Sequence, residues 1–295
     1  MKLITAFFLT SCCINYLLAQ DDLLAELDRE KNDDPGYIIA TFKGSRIING
    51  QSVETRRKGE LEFIFSHRFG LINEGAFTLW GLDQSITRLG LEYGITDRLG
   101  VGIGRTSVDR TFDGYFRYKV LRQSKSFPFT LTTLGSVYYR TSPRNSEIPV
   151  PLRAEDRLAY AWQLLIARKF NSRLSLQVNP VFVHRNTVDQ TYENNDDFAL
   201  GFAGRFKITR SVSVVAEYFK RLNARPNVPP DYLRYDAIGF GVDIETGGHV
   251  FQLLLTNTLG MFERYTITET YENFWDGDIH FGFNITRTFQ LAGKR

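Results

Sequence analysis

Residues 158–182 read LAYAWQLLIARKFNSRLSLQVNPVF. Leu158, Tyr160, Trp162, Leu164 and Ile166 share one parity and are large and apolar, whereas Ala159, Ala161, Gln163, Ala167 and Lys169 on the other are small or polar. After Asn171-Ser172 the alternation resumes, with Leu174, Leu176, Val178 and Phe182 set against Ser175, Gln177 and Asn179. Successive side chains of a strand point to opposite faces, so the stretch specifies two strands, each with an apolar and a polar face, joined by a tight turn.

The same unit recurs outward in both directions from about Gly59 onward. Leu61, Phe63 and Phe65 oppose Glu60, Glu62, Ser66 and Arg68; Leu99, Val101 and Ile103 oppose Gly100, Gly102 and Gly104. Phe198, Leu200, Phe202 and Phe206 oppose Ala199, Gly201, Ala203, Arg205 and Lys207, and Ile279, Phe281, Phe283 and Ile285 oppose His280, Gly282, Asn284 and Thr286. About twelve such runs are present, within the range of membrane barrels.

A soluble sandwich also alternates, so the connections have to identify the solvent on the apolar side. Tight turns fall at Thr96-Asp97, Asn171-Ser172, Thr209-Arg210 and Thr246-Gly247-Gly248. Longer polar connections at 71–84, 141–156, 185–196, 223–234 and 259–277 take turns with them. Only the 108–110 connection is short where a long one is expected, and the 122–127 turn is longer than its counterparts. Alternating short and long connections are what an outer-membrane barrel produces, and an even strand number returns both termini to the periplasm. The expected fold is therefore an all-β, antiparallel, up-and-down transmembrane barrel of about twelve strands.

Aromatic residues near strand ends (Phe69, Tyr93, Tyr118, Tyr139, Phe170, Tyr218, Phe289) occupy girdle positions. Arg168 and Arg287 share the apolar parity but fall at periplasmic ends, where a charge costs roughly 0–1 kcal/mol instead of ~2–4 at mid-bilayer.

The expected organisation is a signal peptide over 1–20, a periplasmic N-terminal segment over 21–57, the barrel over 58–291 and a tail over 292–295. The alternative for the signal is lipidation at Cys12. Both cysteines, Cys12 and Cys13, lie in this segment, so a mature chain has none for disulfides or thiolate metal sites. Leu23, Leu24 and Leu27 give a short amphipathic helix within 22–31, stopped by Pro35-Gly36. Residues 37–55 are strand-like without a clean partner: a periplasmic leader is the preferred reading, a plug in the lumen the other. No later stretch reaches the ~18–20 apolar residues of a membrane helix. The net charge of +3 is spread without a basic block, which argues against a nucleic-acid partner.

Several segments, among them ATFKGSRIING (40–50), GLDQSITRLGLEYGITDRLGVGIGR (81–105), QLLIARKFNSRLSLQ (163–177), DIETGGHVFQL (243–253) and GDIHFGFNITR (277–287), resemble an uncharacterised family of outer-membrane β-barrels from Bacteroidota, a domain of unknown function. The resemblance implies an outer-membrane location and no activity. The last strand is similar to a barrel-assembly signal, although the chain runs past Phe289 to Arg295. Outer-membrane lipid and the barrel-assembly machinery are the partners this implies.

No catalytic, cofactor or metal motif is legible. His67, His184, His249 and His280 lie on different strands without close ligand spacing. Outer-membrane phospholipases place a His and a Ser at a set short spacing, which none of the four histidines supplies. The glycines of 100–104 alternate on one strand face with no helix after them, which suits room in the lumen better than a phosphate loop. Parity assigns Glu60, Glu62, Arg68, Glu92, Arg117, Lys119, Lys169, Arg205, Lys207, Glu217, Arg221 and Asp243 to the lumen. Such a set either makes a polar channel with weak ion preference or fills the barrel with cross-lumen bonds, and an intermediate strand number leaves both open. The first functional expectation is a small channel or transport-related barrel for small polar solutes. A non-conducting structural or assembly barrel, contacting a periplasmic partner through residues 40–50, is the second, and a hydrolase the third.

Overall fold

The computed structural model describes residues 36–38, 40–142 and 153–292. The signal segment, Cys12, the amphipathic helix at 22–31 and residues 293–295 of the tail lie outside these. The strands are β1 (Glu60–Leu71), β2 (Ser85–Gly94), β3 (Leu99–Thr106), β4 (Thr111–Leu121), β5 (Thr130–Arg140) and β6 (Leu158–Lys169). They continue as β7 (Leu174–Arg185), β8 (Asp196–Lys207), β9 (Val212–Arg221), β10 (Ala237–Thr246), β11 (His249–Thr256) and β12 (His280–Gln290). Each pairs antiparallel with its neighbours in sequence, and β12 returns to β1, with Glu60 opposite Gln290 and Ser66 opposite Asn284. Closure leaves no strand edge unpaired, which a sheet in hydrocarbon requires.

Three of the tight turns use one device. Thr96 Oγ1 accepts from the N–H groups of Arg98 and Leu99, Asn171 Oδ1 from Arg173 and Leu174, and Thr209 Oγ1 from Ser211 and Val212. A short polar side chain thus replaces the ladder partners that the reversing chain lacks. Gly247 and Gly248 both take positive φ, 47° and 94°, as a two-residue hairpin turn demands. These turns, the 122–129 connection and both ends of the barrel chain lie at one end, and the long loops at the other.

The outward parity stays apolar and exposed: Ile103, Trp162 and Phe202 retain 64%, 50% and 44% of their surface. An exposed apolar belt around a closed barrel is a lipid-facing surface. Among the described residues no helix is long and apolar enough to cross a membrane, so strands do the crossing. Arg287 lies over the Phe289 ring at 4.7 Å, and Arg168 over Phe170 at 5.0 Å and Phe129 at 5.8 Å. Both cations share the outward face with aromatic rings at the short-turn end, where they can reach polar headgroups.

The N-terminal segment departs from the leader reading. Thr41, Phe42 and residues 44–54 are buried, and they sit inside the barrel. The long 257–279 connection also folds inward, carrying a helix α1 (Glu263–Thr268) whose six residues are all buried. The plug reading of 37–55 is the one the burial supports, whereas the inward fold of 257–279, read as a long polar connection, had no sign in the alternation.

A charge at the middle of the lipid face separates this reading from a soluble barrel. Ile103→Arg is expected to lower folding stability in lipid vesicles by ~2–4 kcal/mol, and Leu291→Arg, beyond the end of β12, by less than ~1 kcal/mol. Urea titration in vesicles measures both, and equal costs would contradict the bilayer placement.

Candidate functional site

Residues 41–55 enter and leave at the short-turn end. Ile38 donates to Gln123 O at 2.7 Å, Thr55 Oγ1 to Asp97 O at 3.0 Å and the Lys58 N–H to Asp97 Oδ1 at 3.0 Å. Between these anchors the chain makes a narrow hairpin, in which Ser52 N bonds Ser45 O at 2.9 Å and Ile47 N bonds Gly50 O at 2.9 Å. Its tip is Ile48-Asn49.

An irregular segment inside a barrel must find partners for its backbone, because each buried group left unpaired costs ~1–3 kcal/mol. The lumen wall supplies them. Glu217 accepts from three successive N–H groups, Ile48 (3.2 Å), Asn49 (2.8 Å) and Gly50 (3.1 Å). Gln252 donates to Ile47 O (2.7 Å), Asn284 to Ile48 O (3.0 Å) and Gln177 to Gln51 O (2.8 Å). Arg117 donates to the carbonyls of Ser52 (3.2 Å) and Glu54 (2.6 Å) and to the Gln51 side chain, and Thr132 Oγ1 donates to Val53 O at 2.9 Å. Arg68 holds Asn49 Oδ1 at 2.8 Å, Ser45 donates to Glu62, and Lys119 pairs with Glu54 at 3.3 Å.

Most of the residues that parity sent inward therefore line the barrel interior, but several are spent on the hairpin. Glu62, Arg68, Glu92, Arg117, Lys119, Arg205, Lys207, Glu217 and Asp243 are buried, while Glu60, Lys169 and Arg221 are half-buried near strand ends. Arg205 pairs with Glu245 at 2.8 Å and Arg221 with Asp197, and Asp243 accepts from Gln252 at 2.8 Å. Parity also marks Arg88, Asp113, Tyr115 and Tyr138, which the charge inventory passed over. Ser45, Asn49, Gln51 and Glu54 lie in the strand-like segment without a clean partner, and nothing in the sequence marked them as partners of the lumen wall.

From the long-loop end the 257–279 connection meets the hairpin, since Arg46 Nη1 donates to Met261 O at 2.9 Å. Phe262, Tyr265 and Ile267 pack on Tyr138, Ala159, Ala161, Val181, Val183, Ala199 and Phe219. Below them Phe42, Ile47, Ile48 and Val53 of the hairpin segment pack on Leu165, Ala167, Ala203, Val215 and Leu254. The inner wall of β6–β10 is thus apolar where the inserts lean on it, and elsewhere carries Gln163, Gln177, Asn179 and the pairs of Arg185 with Asp197 and Arg205 with Glu245. The inner wall of β2–β4 is charged: Arg88 pairs with Asp113 at 2.5 Å and Arg117 with Glu92 at 3.1 Å. Gly102 makes room on this wall for Tyr115, whose Cζ would lie 2.2 Å from an added Cβ.

An ion-pair network ties the inserted loop at its outer edge. Arg264 pairs with Glu269 at 2.8 Å and with Asp109 at 3.1 Å, and Arg140 with Glu269 at 3.2 Å and Asp109 at 3.1 Å. Burial pushes the Glu269 carboxyl up, but the guanidiniums of Arg264, Arg140 and Arg185 outweigh it and hold the group below its ordinary value.

The histidines find partners that the linear sequence does not connect. His67 Nε2 lies 2.8 Å from Ser85 Oγ on the outer face. The other ring nitrogen, Nδ1, is buried without a hydrogen-bond partner among the described residues, and the imidazole is stacked on Phe283 at 5.2 Å. A Ser-His hydrolase needs a third group to hold that nitrogen, so this pair lacks the orienting member. His184 Nδ1 bonds Asp196 at 2.6 Å, His249 stacks on Phe251 at 6.0 Å, and His280, facing inward, bonds Phe69 O at 2.9 Å. Among the described residues no group of three or more His, Cys, Asp or Glu side chains is placed to hold a metal ion. Two apolar grooves, of about 710 and 550 Å³, lie on the outer wall, the first beside Leu176, Phe202, Phe240 and Trp275, the second beside Phe63, Ile103, Phe112 and Tyr139. They face lipid.

The family described as "Membrane bound beta barrel domain (DUF5777)" matches residues 42–289. No curated protein matches the chain. Among solved structures, it is similar to the NanC porin, at 9% identity over 78% of this chain and 100% of that one, with a TM-score of 0.49. It is also similar to the KdgM porin (8% identity, 78% and 99%, TM-score 0.48). A third is the COG4313 outer membrane channel from Pseudomonas putida F1 (12% identity, 80% and 98%, TM-score 0.48).

Gly102→Ala is expected to displace Tyr115 and cost ~1–3 kcal/mol, read from urea unfolding, whereas an unchanged midpoint would remove the space argument. Glu269→Gln is expected to lower stability at pH 7. A depressed carboxylate stabilises the fold above its unfolded value of ~4.3 and loses that contribution as pH falls through its folded value. The difference between parent and variant should therefore shrink below about pH 4, and a gap that persists at about pH 3 would contradict the network.

Proposed function

We propose that this chain, which belongs to the family of membrane-bound β-barrel domains (DUF5777), is an outer-membrane transport barrel for small polar solutes that rests closed, with the hairpin of residues 45–52 as its movable stopper. The observation that carries the reading is how the hairpin is held. Its backbone is bonded to Glu217, Gln252, Asn284, Gln177 and Arg117, with Thr132 holding the adjoining Val53, and water can replace each of these bonds. Both strands of the hairpin lead back to the short-turn end, so it can withdraw without threading the barrel. Withdrawal leaves a wall bearing Glu62, Arg68, Arg117, Gln177, Glu217, Gln252 and Asn284, a polar lining suited to hydrated solutes. The short-turn end and the termini are periplasmic in this reading, and the α1 loop is a fixed constriction.

One observation favours a non-conducting barrel with a permanent core. Phe42, Ile47, Ile48 and Val53 pack on Leu165, Ala203, Val215 and Leu254, and withdrawal exposes all of them. Planar-bilayer recording separates the two. Glu217→Ala removes the acceptor of three N–H groups. At about 1.5–3 kcal/mol per charged bond, openings should become at least about tenfold more frequent. Deletion of residues 21–57 should give a steady current. If both variants fold, as heat-modifiable gel migration reports, and both stay silent, the channel reading fails and the permanent core stands.

A further inference from the structure

The interior is not symmetric about the barrel axis. On the inner wall of β2–β5, oppositely charged groups follow one another from end to end. At the short-turn end Lys119 pairs with Glu54 and Arg56 with Glu62, each at 3.3 Å. Next come Arg117 with Glu92 at 3.1 Å and Arg88 with Asp113 at 2.5 Å. Arg46, from the hairpin, interacts electrostatically with Arg88, Glu263, Tyr115 and Asp113. Tyr138 on β5 donates to Glu263 of α1, and the series ends at Arg140 and Arg264 with Asp109 and Glu269.

Buried polar atoms are left over along the same line. Arg88 Nη1, Glu92 Oε1, Thr111 Oγ1, Ser136 Oγ, Gln51 Nε2 and Glu263 Oε1 have no hydrogen-bond partner among the described residues. Their residues are all buried. Leaving such an atom dry costs ~1–3 kcal/mol, and more where the group is charged, so a set of them in one seam calls for water. The glycines of β3 let these polar groups lie flat against the wall: Tyr115 occupies the place of a side chain at Gly102, and Arg88 with Asp113 that at Gly104. On the opposite wall Gln163 Nε2 and Oε1 and Ser213 Oγ are also left over, singly, but the stretch beneath α1 offers water little: Ala159, Ala161, Val181, Val183 and Ala199 lie under Phe262, Tyr265 and Ile267. Apolar surfaces in close contact hold no ordered water.

We propose that the hydrated path of this barrel is the seam between the two inserts and the inner wall of β2–β5, and that water and small inorganic ions follow it past Arg117, Tyr115 and Arg88 instead of running down the axis. The assignment rests on the channel reading for ion passage, and on the geometry alone for hydration. Alternating cations and carboxylates bind neither sign of ion strongly, so the path discriminates weakly by charge. Hairpin withdrawal widens the seam without uncovering the wall beneath α1.

The test uses the full chain with Cys12 and Cys13 replaced by serine, Glu217→Ala to favour opening, and one added cysteine, either Ser136→Cys in the seam or Ala199→Cys on the apolar wall. The probe is a cationic methanethiosulfonate, read by mass and by bilayer current. Ser136→Cys should be labelled, with its current reduced at least about twofold, and Ala199→Cys should react about tenfold more slowly or less, since it needs local opening first. Equal or faster labelling at Ala199→Cys overturns the seam, whatever the current, and so does labelling at Ser136→Cys that leaves an existing current unchanged. If no variant conducts while Ser136→Cys is still labelled preferentially, the hydrated seam stands and the channel reading falls.

Discussion

The structure depends on the requirement that a backbone taken into a membrane barrel carry its own set of hydrogen-bond partners. Strands meet it by closing on each other, but the hairpin of residues 45–52 has no strand beside it. The lumen side chains complete it, and Glu217 does most at the tip, where three adjacent N–H groups converge on one carboxylate. A carboxylate is apt there because hydrogen bonds to a charged acceptor are stronger than those to a neutral one. Gln252, Asn284 and Gln177 answer the carbonyls, and an amide suits that task because it donates and accepts at once.

The division of the inner wall follows from the same requirement. Where the inserts present side chains, the wall is Ala, Val and Leu, and packing sets the contact. Where they present backbone and charge, the wall is Arg, Glu, Asp and Tyr, and pairing sets it. A filled barrel with one greasy and one polar side holds its inserts in a defined orientation, since rotation would set charges against Val183 and Phe262 against Arg88. That orientation leaves the polar seam on one side and the packed core on the other.

The strands were legible because a period of two survives any tertiary context that keeps one face in lipid. Trp162 and Tyr160 face outward and Ala159 and Ala161 inward as their parity requires, and Thr96, Asn171 and Thr209 mark the turns through their own side-chain bonds. The interior was legible only as an inventory. Parity could list Arg117 and Glu217 as inward, but not that each would be engaged by a segment more than sixty residues away in the chain. Arg88 and Asp113 share that parity, and their importance appears only when Gly104 of β3 lets them meet across it. The His67–Ser85 pair illustrates the same point on the outside, where two adjacent strands bring together residues that no linear motif connects.

What the sequence by itself determined was the barrel: alternation, turn chemistry and the rhythm of short and long connections are local, and each can be read within about a dozen residues. What only the tertiary structure decided was the state of the lumen. Residues 41–55 read only as strand-like without a partner and 257–270 as a polar connection, because irregular backbone takes its conformation from the groups that satisfy it. Those groups, Glu217, Arg117, Gln252 and Tyr138 among them, lie on strands distant in the chain. The sequence left leader and plug open, and only the closed wall that holds the segment decides between them.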